Sequence, residues 1–177
     1  MPRVFGVVGW KDSGKTTMVV KLVSALSARG LRISTIKHAH VRFDIDHEGK
    51  DSHRHRQAGA AEVAIVSPVR WALMGELRGD APPSLATMIG RMGPCDIVLV
   101  EGYKTGPHPK LEVRRALARQ QTALPDDPTV VGLASDTPPA DPACPWFALD
   151  DIDALADFVI LNAAEIEAVF PPQPDAT

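Results

Sequence analysis

Gly9-Trp10-Lys11-Asp12-Ser13-Gly14-Lys15-Thr16 constrains this 177-residue chain more than any other feature. Glycine, four residues, glycine, lysine and threonine let the backbone curl until successive N–H groups point inward, a nest that binds a phosphate. In that pattern Gly9, Lys11, Asp12, Ser13, Gly14, Lys15, Thr16 and Thr17 are the nucleotide-binding residues, with Lys15 reaching β- and γ-phosphates as a mobile point charge. The Thr16 hydroxyl is a hard oxygen donor suited to Mg2+. A bare glycine turn with an incidental lysine is the alternative, and the flanks argue against it. Residues 4–8 read as a short buried strand, and Met18, Val19, Leu22, Val23 and Leu26 recur at helical spacing over residues 17–29, stopped by Gly30. Strand, glycine loop and helix are the context such a loop requires.

The remaining pattern continues an α/β chain. Strands are predicted at 31–37, 97–100, 111–114 and 129–133, with helices at 84–92 and 150–170. Two short strands at 62–66 and 70–74 read as an antiparallel insertion. The expected fold is an α/β P-loop nucleotide-binding fold, a mostly parallel sheet flanked by helices with that short two-stranded insertion. One domain spans 1–170, and 171–177 form a disordered tail.

A nucleotide site of this kind needs an acid at the end of a second buried strand. The run Ile97-Val98-Leu99-Val100 leads into Glu101-Gly102, placing a carboxylate near the metal and a glycine close to the phosphates. An ordinary strand-end carboxylate is the alternative. Lys15 and Glu101 are therefore the candidate catalytic pair, and Thr16, Asp51 and Glu101 the candidate Mg2+ set. Asp51 comes from a polar stretch at 38–57 that holds His38, His40, His47, His53 and His55 among several acids, with a short helix that Asp51 or Ser52 would cap. That stretch has three readings: a switch segment carrying a metal-side acid, a solvated loop, or, least favoured by its spacing, a zinc site. Asp136, delivered by the apolar residues 130–134, either reads a guanine base or caps a turn before Pro138-Pro139. Gln57 is the one glutamine near the switch segment and no arginine is an evident finger in cis, so hydrolysis is expected to be slow at most.

Composition narrows the partners. Residues 1–119 carry 19 Lys and Arg against 11 Asp and Glu, a net +8, whereas residues 120–177 carry 11 acids and no Lys or Arg. Aromatic residues are only 5%, so the basic part suits a small anionic ligand better than a nucleic acid. No apolar run reaches the roughly 18 residues of a membrane span, and the first residues read as a strand and not a signal peptide. Cys95 and Cys144 provide no disulfide framework, which makes a reducing cytoplasm the expected compartment.

The order G-W-K-D-S-G-K-T-T, I-K-H-A-H, F-D-I-D-H-E-G-K-D-S, Q-A-G-A, R-W-A-L-M, D-I-V-L-V-E-G-Y-K, L-A-S-D and D-D-I-D-A-L-A-D-F-V resembles the molybdopterin-guanine dinucleotide biosynthesis adapter family, protein B. The resemblance implies a GTP-binding adapter with Mg2+, weak GTPase activity and a homodimeric state. Its implied partners are molybdopterin, or the molybdenum cofactor, and a guanylyltransferase of MobA type that joins GMP to molybdopterin. It carries the phosphate-loop role to Gly9 through Thr17, the strand-end acid to Glu101 and the switch-side acid to Asp51, and supports a base-side role for Asp136. The chain departs from the family pattern over residues 106–121, so a partner contact by that loop is not carried over. Lys50, Arg54, His55 and Arg56 are candidates for the molybdopterin phosphate, a solvated basic face being the alternative, and the insertion is a candidate dimer surface if Trp71 and Met74 are exposed there and do not lie in the core. A P-loop small-molecule kinase or phosphotransferase, with Lys11, Lys37 or Arg54 and Arg56 orienting an acceptor, is the second reading.

Overall fold

Valine-rich strands with apolar residues at every position belong in the middle of a parallel sheet, where helices cover both faces. The computed structural model describes residues 2–39, 43–116, 118, 127–140 and 143–171. β1 (Arg3–Val8) feeds α1 (Lys15–Ala28), followed by β2 (Ile33–Lys37), α2 (Asp51–Gln57), β3 (Glu62–Val66), β4 (Trp71–Gly75) and α3 (Leu85–Gly90). β5 (Ile97–Glu101), β6 (Lys110–Arg114), β7 (Val130–Ser135) and β8 (Trp146–Ala148) precede α4 (Ile152–Asn162), β9 (Ala164–Glu165) and α5 (Ile166–Val169). The seven-stranded sheet runs β2-β5-β1-β6-β7-β8, with β9 beside β1, while β3 and β4 form a separate antiparallel pair.

Every neighbour pair along the main path is parallel. Alternation sends Phe5, Val7, Ile97 and Leu99 to one face, into a core with Leu22 and Leu26 of α1 and Leu155 and Val159 of α4. Val4, Val98 and Val100 point the other way, against Leu85 and Ile89 of α3. Both faces of the central strands are thereby sealed, and the chemistry is confined to the ends of the strands.

Two compact units divide the chain: Met1–His38 with Leu85–Thr177, and Ala39–Ser84. The second is wider than the stretch 62–74 marked from sequence, because α2 joins the hairpin and Arg56 draws its surroundings together. The Arg56 guanidinium pairs with Asp44 at 3.0 Å, Asp46 at 3.2 Å and Glu76 at 2.6 Å.

Two local expectations are corrected, and one strand was not expected. The helix expected over 150–170 is broken: Ala163 turns extended (φ −61, ψ 123), and β9 pairs antiparallel with Arg3 and Val4. β6 pairs with β1 only from Gly6 onward, so β9 takes the stretch of that edge left open. β8 was missed because its three residues are too few to show a period. Neither Asp51 nor Ser52 caps α2; Lys50 is the N-cap residue, and the Ser52 hydroxyl donates to Asp46 at 2.8 Å. The expected tail lies outside the described residues except for Pro171. Among the described residues no helix is long and apolar enough to cross a membrane.

Candidate functional site

The loop after β1 has the backbone its spacing predicts. Gly9 and Gly14 have φ of 148° and 93°, and Asp12 is left-handed at 62°, so the chain coils at three points within six residues. Room is minimal: a β-carbon on Gly9 would lie 2.4 Å from the Val113 carbonyl oxygen and 2.6 Å from Ser13 Oγ. The Ser13 side chain is buried, and its hydroxyl has no hydrogen-bond partner among the described residues. An orphaned hydroxyl inside a nest of backbone N–H groups fits a phosphate oxygen. α1 starts at Lys15, two residues earlier than expected, because the coil passes directly into the first helical turn.

Lys15 donates to the Trp10 carbonyl at 2.5 Å, folding its ammonium over the loop. Burial lowers its pKa, and the nearby Glu101 carboxylate opposes that effect. Glu101 ends β5, buried to 8% exposure, and accepts from Thr16 Oγ1 at 2.7 Å. Lys37 Nζ lies 3.2 Å from Thr16 Oγ1 and 3.2 Å from Glu101 Oε1. Two hard oxygens share one corner that already holds a cationic group, and both fit Mg2+, whose remaining ligands would be phosphate and water. Gly102 (φ 93°) lets the chain leave β5 beside His38, which donates its backbone N–H to the Glu101 carbonyl at 2.9 Å.

The other sequence-derived residues separate. Lys11 and Asp12 form the exposed turn of the loop, and Thr17 lies in the first turn of α1. Lys104, not expected from sequence, stacks its ammonium 3.8 Å from the centre of the Trp10 ring. Asp136 follows β7, and both its carboxylate oxygens accept from the Ala116 N–H at 3.0 Å. It also lines a cleft of about 420 Å³ with Lys21, Arg115, Trp146 and Leu149. Asp51 sits in the first turn of α2, within the 39–84 unit. Arg56, proposed to meet an anionic ligand, is instead committed to three carboxylates of its own unit. Trp71 is 66% exposed on the hairpin, whereas Met74 is half-buried. Among the described residues no cluster of three His, Cys, Asp or Glu side chains could hold a metal ion.

Sequence reasoning missed two further features. His108 is fully buried, its ring wedged so tightly that β-carbons on Gly6 and Gly106 would each fall 2.6 Å from it. Desolvation pushes its pKa down to about 4, with the Lys110 charge adding to the effect. The second is Arg115, just beyond β6: a β-carbon on Gly14 would lie 2.9 Å from its Nε. Its only sequence signal was a position past a predicted strand, uninformative until the strand order is known.

A parallel sheet with a phosphate loop after β1 and an acid at the end of the adjacent β5 defines a P-loop α/β protein. Comparison with known proteins narrows the class. The family model MobB, molybdopterin guanine dinucleotide synthesis protein B, matches residues 4–136. The chain is 39% identical over 163 residues to the molybdopterin-guanine dinucleotide biosynthesis adapter protein of Escherichia coli (strain K12), covering 90% of this chain and 93% of that one. The adapter protein of the same description from Haemophilus influenzae is 38% identical over 138 residues, covering 76% of this chain and 75% of its own. The solved MobB protein homolog from Bacillus stearothermophilus has a TM-score of 0.63 at 26% identity, covering 89% of this chain and 95% of that one. The chain belongs to the MobB family.

Proposed function

We propose that this protein is a GTP-binding adapter in molybdenum cofactor biosynthesis, assisting the attachment of GMP to molybdopterin to form molybdopterin guanine dinucleotide. The adapter role rests on the family. The nucleotide reading rests chiefly on one observation, the 2.7 Å contact between Thr16 of the phosphate loop and Glu101 of the second strand. Two motifs 85 residues apart in sequence converge on one corner suited to a phosphate-bound cation. Thr16 and Glu101 would hold Mg2+, which neutralises phosphate charge when bound. The loop N–H groups and Ser13 bind the β-phosphate, and Lys15 spans the β- and γ-phosphates.

Hydrolysis is expected to be weak. In-line attack needs a positioned water and charge neutralisation beyond the loop lysine. Gln57, the one described glutamine, belongs to the 39–84 unit. The phosphotransferase alternative draws no support from the relatives. Molybdopterin and a MobA-type guanylyltransferase are the proposed partners in a cytoplasmic pathway, with Lys50, Arg54 and His55 left as phosphate candidates once Arg56 is set aside. A homodimer through the hairpin is supported by its exposed Val66, Val69 and Trp71.

Competition for fluorescent GTP by GTP, ATP and XTP, with Mg2+ present, tests the guanine reading. GTP should displace best, and Asp136→Asn should shift preference toward XTP, because the amide keeps one acceptor for N1–H and gains a donor that suits the xanthine 2-oxo group and not the guanine amino group. Equal displacement by ATP on the wild type overturns guanine selectivity.

A further inference from the structure

The strand order splits the phosphate loop's surroundings into two sides. β5 lies against one edge of β1 and brings Glu101, with Lys37 of β2 next in line. β6 lies against the other edge, and its register pairs Val8 with Glu112. Three residues further on, Arg115 stands level with the loop that follows Val8. A β-carbon on Gly14 would fall 2.9 Å from Arg115 Nε and 3.2 Å from Cζ, so the guanidinium lies directly against the loop. The same arginine lines the cleft shared with Lys21, Asp136 and Trp146. In open α/β sheets ligands occupy the crevice outside the carboxyl ends of the strands, and this cleft lies at the ends of β6, β7 and β8.

The turn that carries Arg115 is fixed from both ends. Asp136 takes the Ala116 N–H with both oxygens at 3.0 Å, and the Ala118 N–H donates to the Arg115 carbonyl at 3.0 Å. The side chain itself is exposed and faces the loop and cleft from an anchored backbone.

We infer that Arg115 is a nucleotide-binding residue in cis, clamping the α- and β-phosphates between the phosphate loop and the base cleft. The inference rests on the nucleotide reading above, but not on the choice of base. A guanidinium offers paired N–H donors matched to phosphate oxygens. Its position across β1 from the Thr16–Glu101 corner sets it away from the γ-phosphate side. Asp136 then acts on the nucleotide in part by holding the arginine's turn.

Equilibrium titration of fluorescent GDP, GTP, ADP and ATP, with Mg2+ present, on wild type, Arg115→Ala, Arg115→Lys and Lys15→Ala tests this. Arg115→Ala should weaken GDP and GTP alike, by about tenfold or more. Arg115→Lys should recover part of the loss, because charge returns without the fork, and the melting temperature of both should match wild type. Unchanged affinity in Arg115→Ala overturns the inference, and so does a loss confined to GTP, which would put the guanidinium on the γ-phosphate. Wild-type protein that binds neither nucleotide, with Lys15→Ala indistinguishable from it, overturns the nucleotide reading itself and this inference with it. Equal affinity for adenine and guanine nucleotides, with the Arg115 effect intact, overturns guanine selectivity alone and sustains the clamp.

Discussion

The unit built from residues 1–38 and 85–177 and the unit 39–84 are held together by different physics. In the first, Val4, Phe5, Val7, Val8 and all of Ile97 to Val100 are fully buried, and helices close both faces. In the second, Val63 is the sole buried apolar residue among those described, while Val66, Val69 and Trp71 are each more than 60% exposed. Its order comes from the β3–β4 ladder and from the carboxylates gathered on Arg56. Apolar burial stabilises in proportion to area and needs no particular partner, whereas the half-buried ion pairs of Arg56 depend on each carboxylate being in place and are open in part to screening by salt. The first unit is therefore a self-sufficient scaffold for a site at its strand ends, and the second presents apolar surface that its own fold does not cover.

The largest expected effect tests the scaffold. Leu99→Ala, in the middle of β5, should cost about 2–5 kcal/mol in denaturant unfolding, with the main transition moved as a whole. A much smaller cost would mean the central strands are not the core on which the comparison rests.

Acid titration comes next. His108 is held neutral with its pKa near 4, below the 6.5 of the unfolded chain, so the unfolded state binds more protons between those values. Its contribution is complete above pH 6.5 and is lost as pH falls toward 4, amounting to about 3 kcal/mol. His108→Gln should flatten stability against pH in that window. An unchanged slope would assign the acid sensitivity to other groups.

Arg56→Ala should act on the second unit alone. Amide exchange should speed up across α2 and the hairpin, with β1 and β5 unchanged, and high salt should mimic it partially in the wild type. Exchange that rises equally in both units would erase the distinction between them. The smallest effect on folding should come from Trp71→Ser, within about 0.5 kcal/mol by thermal or denaturant melt. The same variant should shift sedimentation toward the monomer if the hairpin joins two copies. No shift removes Trp71 from the proposed interface.

The site was legible where its chemistry is local. The loop from Gly9 to Thr16 is contiguous, and its glycines announce the left-handed backbone found at Gly14. Glu101 was legible because an apolar run pointed to it. Asp136 was visible at the end of β7, but not its grip on Ala116, which is 20 residues away in sequence. Arg56 looked like a free cation because the carboxylates that neutralise it come from the loop before α2 and from beyond β4. β9 was hidden inside an apparent helix, since its two residues follow the opening that β6 leaves along β1, not a pattern of their own.

The sequence by itself determined the phosphate loop, the strand-end acid, the two-face burial of the central strands and the family, all carried by residues adjacent in the chain or by period. Tertiary structure alone decided which strands flank β1. That order puts Glu101 on one side of the loop and Arg115 on the other, and buries His108 against Gly6. Strand order is set by packing between segments distant in sequence, and no local pattern encodes which neighbours will meet.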